Sequence, residues 1–311
     1  MNRKPEKPSI VVVCGPTGIG KTSTAITIAE AERGEIIGAD SMQIYRHMDI
    51  GTAKPTAEEC ARSVHHLVDV VDPDENFDAA RFARQAGRVI DSLAEKGVLP
   101  IVAGGTGLYI KALTRGLFES DAGDPGVREQ LKKEAAEKGL EALYRELESV
   151  DPVTAARIHR HDRYRLFRAL EVYRVRGRTM AQLQAEHGFA QSRYRCFKIG
   201  LTMDRDKLYR RINLRVAAML DQGLEAEVRG LLNRGYSPEL KAMQSIGYRH
   251  MVAYINGRIS RDEMVETLKR DTRRYAKRQF TWFRADQEIN WFHPGEDEKI
   301  LTRVRRFLEK S

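Results

Sequence analysis

The sequence predicts an α/β fold, a parallel-sheet core with an inserted all-helical lobe. Three observations carry this. Short β-branched apolar runs alternate with helical periodicities from residue 10 to about 113, the pattern turns wholly helical from about 120, and a strand pattern returns at 196–203. The expected organisation is a first core part over 1–119, a lobe over 120–189, and a second core part with basic C-terminal helices over 190–311.

The first element is the run 10–13, read as a buried strand, and residues 22–31 follow as a helix. Between them stands Gly15-Pro16-Thr17-Gly18-Ile19-Gly20-Lys21-Thr22, an unbroken match to the phosphate-loop (P-loop) pattern G-x-x-x-x-G-K-[ST]. Its glycines let successive backbone N–H groups turn inward around an oligophosphate, and the helix N-terminus adds its positive end. Lys21 reaches the outer phosphate, and Thr22 offers a hydroxyl to Mg2+. The motif implies a bound di- or triphosphate. It leaves open whether the phosphate is transferred or only departs.

The next strand, 35–39, ends at Asp40-Ser41-Met42-Gln43. A carboxylate at the C-terminal end of a strand faces the same crevice as the phosphate loop, so Asp40 is a candidate for base or metal work. Capping of the following turn is the plainer alternative. A strand is expected over 64–71, with His65 and His66 on opposite faces and therefore unable to share a metal; both are read as packing residues. Residues 78–96 are periodic and helical, closed by Gly97.

The strand 98–103 runs into Gly104-Gly105-Thr106-Gly107. Many phosphate-loop enzymes place an acidic residue there to position Mg2+ and water. Here the glycines are expected to admit a ligand to the backbone, and the Thr106 hydroxyl suits a leaving oxygen better than an attacking water.

Four helical patterns make the lobe, over 125–138, 139–149, 152–158 behind Asp151 as N-cap, and 162–176. The helix after the returning strand carries Lys207, Arg211 and Arg215 on one face, a cationic wall for phosphates, while Leu208, Ile212, Val216 and Met219 make the apolar stripe. Ser260 and Glu263 form a capping box that opens a long helix through Arg284. Arg270, Arg274, Lys277 and Arg284 recur on it at helical spacing among aromatics, the equipment for single-stranded or looped RNA; Phe280 and Phe283 are read as core.

Charge divides along the same line. The net charge is +9, yet residues 1–118 carry 14 basic and 15 acidic side chains, so the whole excess lies after Phe118. A neutral phosphate-binding part joined to a basic part points to a small anionic ligand and a polyanionic partner. Cys14, Cys60 and Cys196 have no metal-ligand spacing, no apolar run approaches a membrane span, and the N-terminus lacks the apolar core of a signal peptide. A cytoplasmic, monomeric protein with no membrane partner is expected.

In order along nearly the whole chain, the phosphate loop, Asp40-Ser41-Met42-Gln43-Ile44-Tyr45, Met48-Asp49-Ile50-Gly51-Thr52-Ala53-Lys54-Pro55, His65-His66-Leu67-Val68-Asp69, Gly104-Gly105-Thr106-Gly107-Leu108-Tyr109, Asp151-Pro152 and Ala276-Lys277-Arg278-Gln279-Phe280-Thr281-Trp282 resemble the bacterial tRNA dimethylallyltransferases, also called tRNA isopentenyltransferases. That resemblance implies alkyl transfer: dimethylallyl diphosphate gives its five-carbon group to N6 of adenine-37 in the tRNA anticodon stem-loop, with Mg2+ present and diphosphate leaving.

The resemblance also implies roles. Lys21, Thr22, Thr106 and Arg215 would stabilise the departing diphosphate, Thr106 at the bridging oxygen, with Arg211 a competitor for the Arg215 role. Asp40 would accept the proton of the adenine amine. The flipped adenine and its neighbours would meet Asp40, Ser41, Met42, Gln43 and Thr106, together with Gln244, Ser245, Ile246, Gly247, Tyr248 and Arg249. Further tRNA contacts are expected at Arg128, Tyr164, Arg165, Leu166, Phe167 and Arg168, and at Arg274, Lys277 and Arg278. Two other readings keep the same core: a prenyltransferase acting on free adenine nucleotides, and a small-molecule phosphoryl kinase.

Overall fold

The computed structural model describes residues 7–117, 124–188 and 192–310, which divide into two compact units. One joins the residues up to Thr114 with those from Arg193 onward; the other is Arg115–Ser192.

The first unit is built around β1 (Ser9–Cys14), whose residues 10–13 are wholly buried. A strand covered by helices on both faces must be apolar throughout, which is why this run shows no alternation. After β1 come α1 (Lys21–Glu32), β2 (Gly34–Gly38), α2 (Ala57–Arg62), β3 (His65–His66), α3 (Ala79–Glu95), β4 (Leu99–Gly104) and α4 (Gly107–Arg115). The six strands are completed much later by β5 (Arg195–Leu201) and β6 (Ile289–Phe292), and all pair in parallel in the order β3-β2-β4-β1-β5-β6. Strands before the second unit therefore lie on one side of β1, and strands after it on the other. Growth reverses at β1, and in such a sheet the ligand crevice lies past the carboxyl ends of the strands at the point of reversal.

The expected strand over 64–71 shrinks to His65 and His66, with one further bridge between Tyr45 and Val71. Leu67 and Asp69 adopt left-handed backbone, with φ of 61° and 56°, which ends the ladder. That turn brings the Asp69 carboxylate to the Lys54 ammonium, which also meets Asp49 and donates to the Tyr45 carbonyl. The Lys54 side chain is buried, so its charge needs these partners more than the sheet needs the extra strand. Neither histidine is mere packing: His66 meets Glu35 at 2.6 Å, and His65 Nδ1 lies 2.9 Å from the Ser63 carbonyl.

The second unit begins with α5 (Pro125–Val150), broken at Gly139, whose φ of 80° and ψ of 161° separate two helices where the sequence predicts a boundary. It continues with α6 (Pro152–Ala155), α7 (Arg163–Arg176) and α8 (Met180–His187). Asp151 is buried and caps both α6, through the Thr154 N–H, and α8, through the Ala181 N–H. The α8 helix is an addition to the sequence reading, although the reciprocal Thr179 and Gln182 capping box that starts it is visible in the sequence. Leu131, Leu143, Leu147, Leu166, Phe167 and Leu170 form this unit's core.

The remaining helices, α9 (Arg205–Asp221), α10 (Leu224–Asn233), α11 (Tyr248–Ile255), α12 (Arg261–Arg284) and α13 (Asp297–Leu308), belong to the first unit. Leu208, Ile212 and Val216 of α9 are buried and Met219 half-buried along the stripe the sequence predicts, and Leu208 and Ile212 share a core with Ala276 of α12 and Ile300 of α13. Among the described residues, no helix is long and apolar enough to cross a membrane.

Candidate active site

The phosphate loop leaves β1 with Gly15, Gly18 and Gly20 at φ of 147°, 77° and 108°. Gly20 is the left-handed N-cap of α1, and no side chain caps that helix end, so its N–H groups are left for a ligand. Ile19 is wholly buried and anchors the loop in the core. Lys21 folds back to donate to the Pro16 carbonyl at 2.9 Å. Burial pushes its ammonium down to about 8, opposed by the charge of Asp40 and reinforced by that of Arg215. Thr22 is half-buried in the first turn of α1. One loop N–H does not face the cradle: Thr17 donates at 2.8 Å to Gln279 Oε1 of α12.

The neighbouring strand ends are tied to one another. Asp40 follows β2, and its Oδ1 accepts the N–H groups of Met42 and Gln43 at 2.8 and 3.4 Å, so the capping role exists, but it occupies one carboxylate oxygen. The Thr106 hydroxyl accepts the Ser41 N–H at 3.0 Å and lies 3.3 Å from the Ser41 hydroxyl, and the Thr106 N–H donates to the Ala39 carbonyl. Burial raises the phenols of Tyr109 and Tyr275, and the charge of Asp40 adds to both.

At Gly104, Gly105 and Gly107 the space a side chain would occupy is filled by the protein's own atoms, which is reason enough for glycine there. A Cβ on Gly104 would sit 2.0 Å from the Ala39 carbonyl oxygen, one on Gly105 2.3 Å from Gln279 Nε2, and one on Gly107 2.1 Å from the Trp282 indole. These positions are small because β2 and α12 press against them. The sequence announces a close approach without saying by what.

Two arginines of α9 reach the loop. Arg215 is half-buried, has no hydrogen-bond partner among the described residues, and has its guanidinium pKa lowered by burial, with Asp40 opposing. Arg211 brings Nη2 within 3.8 Å of where a Gly20 side chain would begin. Lys207 is exposed in the first turn. The crevice therefore gathers Lys21, Arg211, Arg215 and the carboxylate of Asp40.

The residues expected at RNA fall into two groups. In the second unit, Tyr164 is 71% exposed and the Arg128 guanidinium lies 5.8 Å from its ring centroid. Arg165 is exposed beside Asp162, whereas Arg168 is partly buried and paired with the buried Glu171 at 2.9 Å. Leu166 and Phe167 are core side chains, which corrects their expected contact role: they build the surface that carries Tyr164 and Arg165.

In the first unit Tyr248 is wholly buried and donates to Glu227 at 2.6 Å, so it too supports rather than touches. Gln244 donates to the Pro238 carbonyl, Gly247 caps α11, Arg249 pairs with Asp271 at 2.7 Å, and Ser245 and Ile246 are half-buried. Gln43 spends its amide on the Thr52 and Ala53 carbonyls, and Met42 is half-buried. On α12, Arg274 is held 3.6 Å from Asp271, Arg278 lies over the Tyr275 ring, and Lys277 is exposed with no ion pair among the described residues. Burial opposes ionisation of Asp271, but hydrogen bonds from Arg249, Arg270 and His250 win and hold it down to about 2.

Two residues to which the sequence reading gives no role organise this region. Glu227 accepts the N–H groups of Asp49, Ile50 and Gly51 at 2.8, 2.7 and 3.1 Å and the Tyr248 hydroxyl besides, pinning the loop that Gln43 also holds. Gln279 joins the phosphate loop to the turn after β4. Glu227 has no periodic or motif signal, and the motif that contains Gln279 does not reveal its partners, because each acts on backbone far away along the chain.

A family model described as IPP transferase matches residues 43–286. A tRNA dimethylallyltransferase from Desulfosudis oleivorans is 55% identical over 305 residues, covering 98% of this chain and 97% of the relative. One from Geobacter sulfurreducens is 50% identical over 308 residues and 99% of each chain. Among solved structures, the full-length tRNA isopentenylpyrophosphate transferase of Bacillus halodurans is 40% identical with a TM-score of 0.73, covering 98% of both chains. A eukaryotic dimethylallyltransferase captured acting on tRNA shares the fold, with a TM-score of 0.83 at 24% identity, over 97% of this chain and 80% of that one.

Proposed function

The chain belongs to the IPP transferase family, and from that premise we propose that it transfers the dimethylallyl group of dimethylallyl diphosphate to N6 of adenine-37 in tRNA, releasing diphosphate. One observation carries the assignment of roles: a carboxylate with an oxygen to spare, Asp40, lies within electrostatic reach of both Lys21 and Arg215 at the phosphate loop.

The reaction separates charge. The allylic C–O bond breaks, carbon becomes positive and diphosphate more negative, so cations and donors at the loop strengthen in the transition state. Lys21 and the free N–H groups of α1 hold the outer phosphate, Arg215 and Arg211 flank it, and Thr106 directs its hydroxyl proton to the bridging oxygen. Before a ligand binds, that proton has the Ser41 hydroxyl at 3.3 Å and the neighbouring Tyr275 phenol as its protein acceptors. The adenine amine is a poor nucleophile because its lone pair is conjugated into the ring. Asp40 orients it by accepting one N–H, and takes that proton as the C–N bond forms.

The protein would offer a metal at the loop the Thr22 hydroxyl, the diphosphate supplying the other oxygens; among the described residues no group of three His, Cys, Asp or Glu side chains is arranged to hold a metal. That suits Mg2+ carried in on the diphosphate with Thr22 as its protein ligand, supplying charge neutralisation to the leaving group. Arg128 with Tyr164, Arg165, and Lys277 with Arg278 are the exposed cationic and aromatic surfaces read as tRNA contacts. The protein is read as a cytoplasmic monomer.

The test is a pair of incubations of the purified protein with Mg2+ and labelled dimethylallyl diphosphate, one with an anticodon stem-loop carrying adenine-37 and one with AMP. Label on the stem-loop is the expected result. Label on AMP alone would leave the core chemistry standing and remove the RNA from it, and label on neither would sink the proposal.

A further inference from the structure

We infer that Gln279 is a positioning residue that sets the spacing between the donor half and the acceptor half of the site; this rests on the prenyl transfer proposed above. The two halves hang from adjacent strands, β1 and β4, whose ladder ends at the pair Cys14 and Gly104. Beyond that pair the backbones part, one into the phosphate loop and the other into the turn that carries Thr106. The Gln279 side-chain amide fills the gap. Its Oε1 accepts the Thr17 N–H at 2.8 Å and its Nε2 donates to the Gly105 carbonyl at 2.8 Å. A side-chain amide has the same donor and acceptor as a peptide unit, so it acts as one more rung laid between strands that no longer touch.

The fit is tight and dry. Gln279 is 6% exposed, and the space for a Gly105 side chain is already taken by its Nε2. One helical turn earlier on α12, the Tyr275 hydroxyl lies within hydrogen-bonding reach of the side chains of both Thr106 and Gln279. Thr106 follows Gly105 directly, and its hydroxyl accepts the Ser41 N–H next to Asp40. Any shift in the Gln279 rung therefore moves Thr106 and the Asp40 turn together, relative to the diphosphate cradle.

Only glutamine offers this acceptor and donor at this reach. Methionine keeps the length and loses both bonds. Ionised glutamate keeps the acceptor for Thr17 but turns an oxygen lone pair on the Gly105 carbonyl. Protonated glutamate restores the donor.

The test compares wild type, Gln279→Met and Gln279→Glu, each checked for folding by thermal melting and for an intact cradle by the affinity of inorganic diphosphate. The expected result for Gln279→Met is a fall in kcat of about 10- to 100-fold, the scale of a misplacement of about 1 Å, with diphosphate affinity within about threefold of wild type. Gln279→Glu should lose as much at pH 8 and recover, relative to wild type, as pH falls and its buried carboxyl, raised by desolvation, takes up a proton.

An undiminished kcat in folded Gln279→Met would overturn the inference. So would a loss that appears equally in diphosphate affinity, or a Gln279→Glu profile parallel to wild type. If wild type itself leaves the stem-loop unlabelled, it is the transfer reaction that fails, and the inference with it. An active wild type beside an equally active Gln279→Met fails the positioning role alone.

Discussion

The crevice end of the sheet and the helical unit use polar side chains in opposite ways. At the crevice, the decisive bonds run to backbone far away along the chain: Gln279 to Thr17 across 262 positions, Glu227 to Asp49 across 178, and Ser41 to Thr106 across 65. In Arg115–Ser192 the described ion pairs join side chain to side chain within the unit and over shorter separations, Arg168 with Glu171 three positions on and Arg174 with Glu146 and Glu134 at 28 and 40 positions. The first arrangement fixes a geometry to a fraction of an ångström. The second holds a surface together while leaving Tyr164 and Arg165 at its face. A site that must place a leaving oxygen and a base needs the former, and a surface that meets a flexible polyanion needs only the latter.

That contrast makes the two regions separable by mutation. The largest effect is expected from Leu166→Ala, which empties a wholly buried position and should destabilise the helical unit by about 2–5 kcal/mol. Stem-loop binding should weaken with it, while inorganic diphosphate binds as before; a parallel loss of diphosphate affinity would break the distinction. Asp40→Asn keeps an oxygen for the Met42 N–H and removes the base, so turnover at saturating substrate should drop by a factor on the order of 100 or more. Unchanged turnover would take Asp40 out of the proton transfer.

The third effect is in pH. Lys21 is ordinarily at 10.5 and stands at about 8 in the folded chain, so between those values the unfolded chain binds the proton and the folded one does not. Stability contributed through this group therefore rises with pH from about 8 toward 10.5, and below about 8 the buried charge costs stability. Diphosphate requires the charged form. Its affinity should fall as pH climbs through about 8, with proton uptake on binding seen by calorimetry in buffers of different ionisation enthalpy, and Lys21→Met should lack that uptake. The smallest effect separates two neighbours: Lys277→Ala should lower the salt slope of stem-loop affinity by about 1, and Arg274→Ala by less, because Asp271 already holds that guanidinium. Equal slopes in the two variants would count against the free-cation reading of Lys277.

Much of this was legible in the chain. β1 and its glycine loop follow from an uninterrupted apolar run beside an eight-residue motif, the break at Gly139 from a glycine inside a helical pattern, and the α6 cap from Asp151 before proline. The α9 wall also reads directly, since Arg211 and Arg215 share a face beside the apolar stripe of Leu208 and Ile212. What stayed hidden depends on partners. The sequence shows that Gly105 and Gly107 must be small, but only the folded chain shows that a glutamine and a tryptophan fill the space. Leu166 and Phe167 sit beside Arg165 in a run that looks uniformly functional, and burial alone divides it.

The distance of Gln279 from the loop it steadies also orders events in time. A polypeptide is made from its amino end, so the phosphate loop, the Asp40 turn and the Thr106 turn all leave the ribosome before α12 exists. Until Arg261–Arg284 emerges, the Thr17 N–H and the Gly105 carbonyl lack the group that joins them. A nascent chain thus carries the phosphate loop, the Asp40 turn and the Thr106 turn through much of its synthesis without the rung that registers them. A premature stop before α12 leaves a fragment whose sequence still advertises a phosphate binder, and whose two halves lack the rung beyond the β1–β4 ladder.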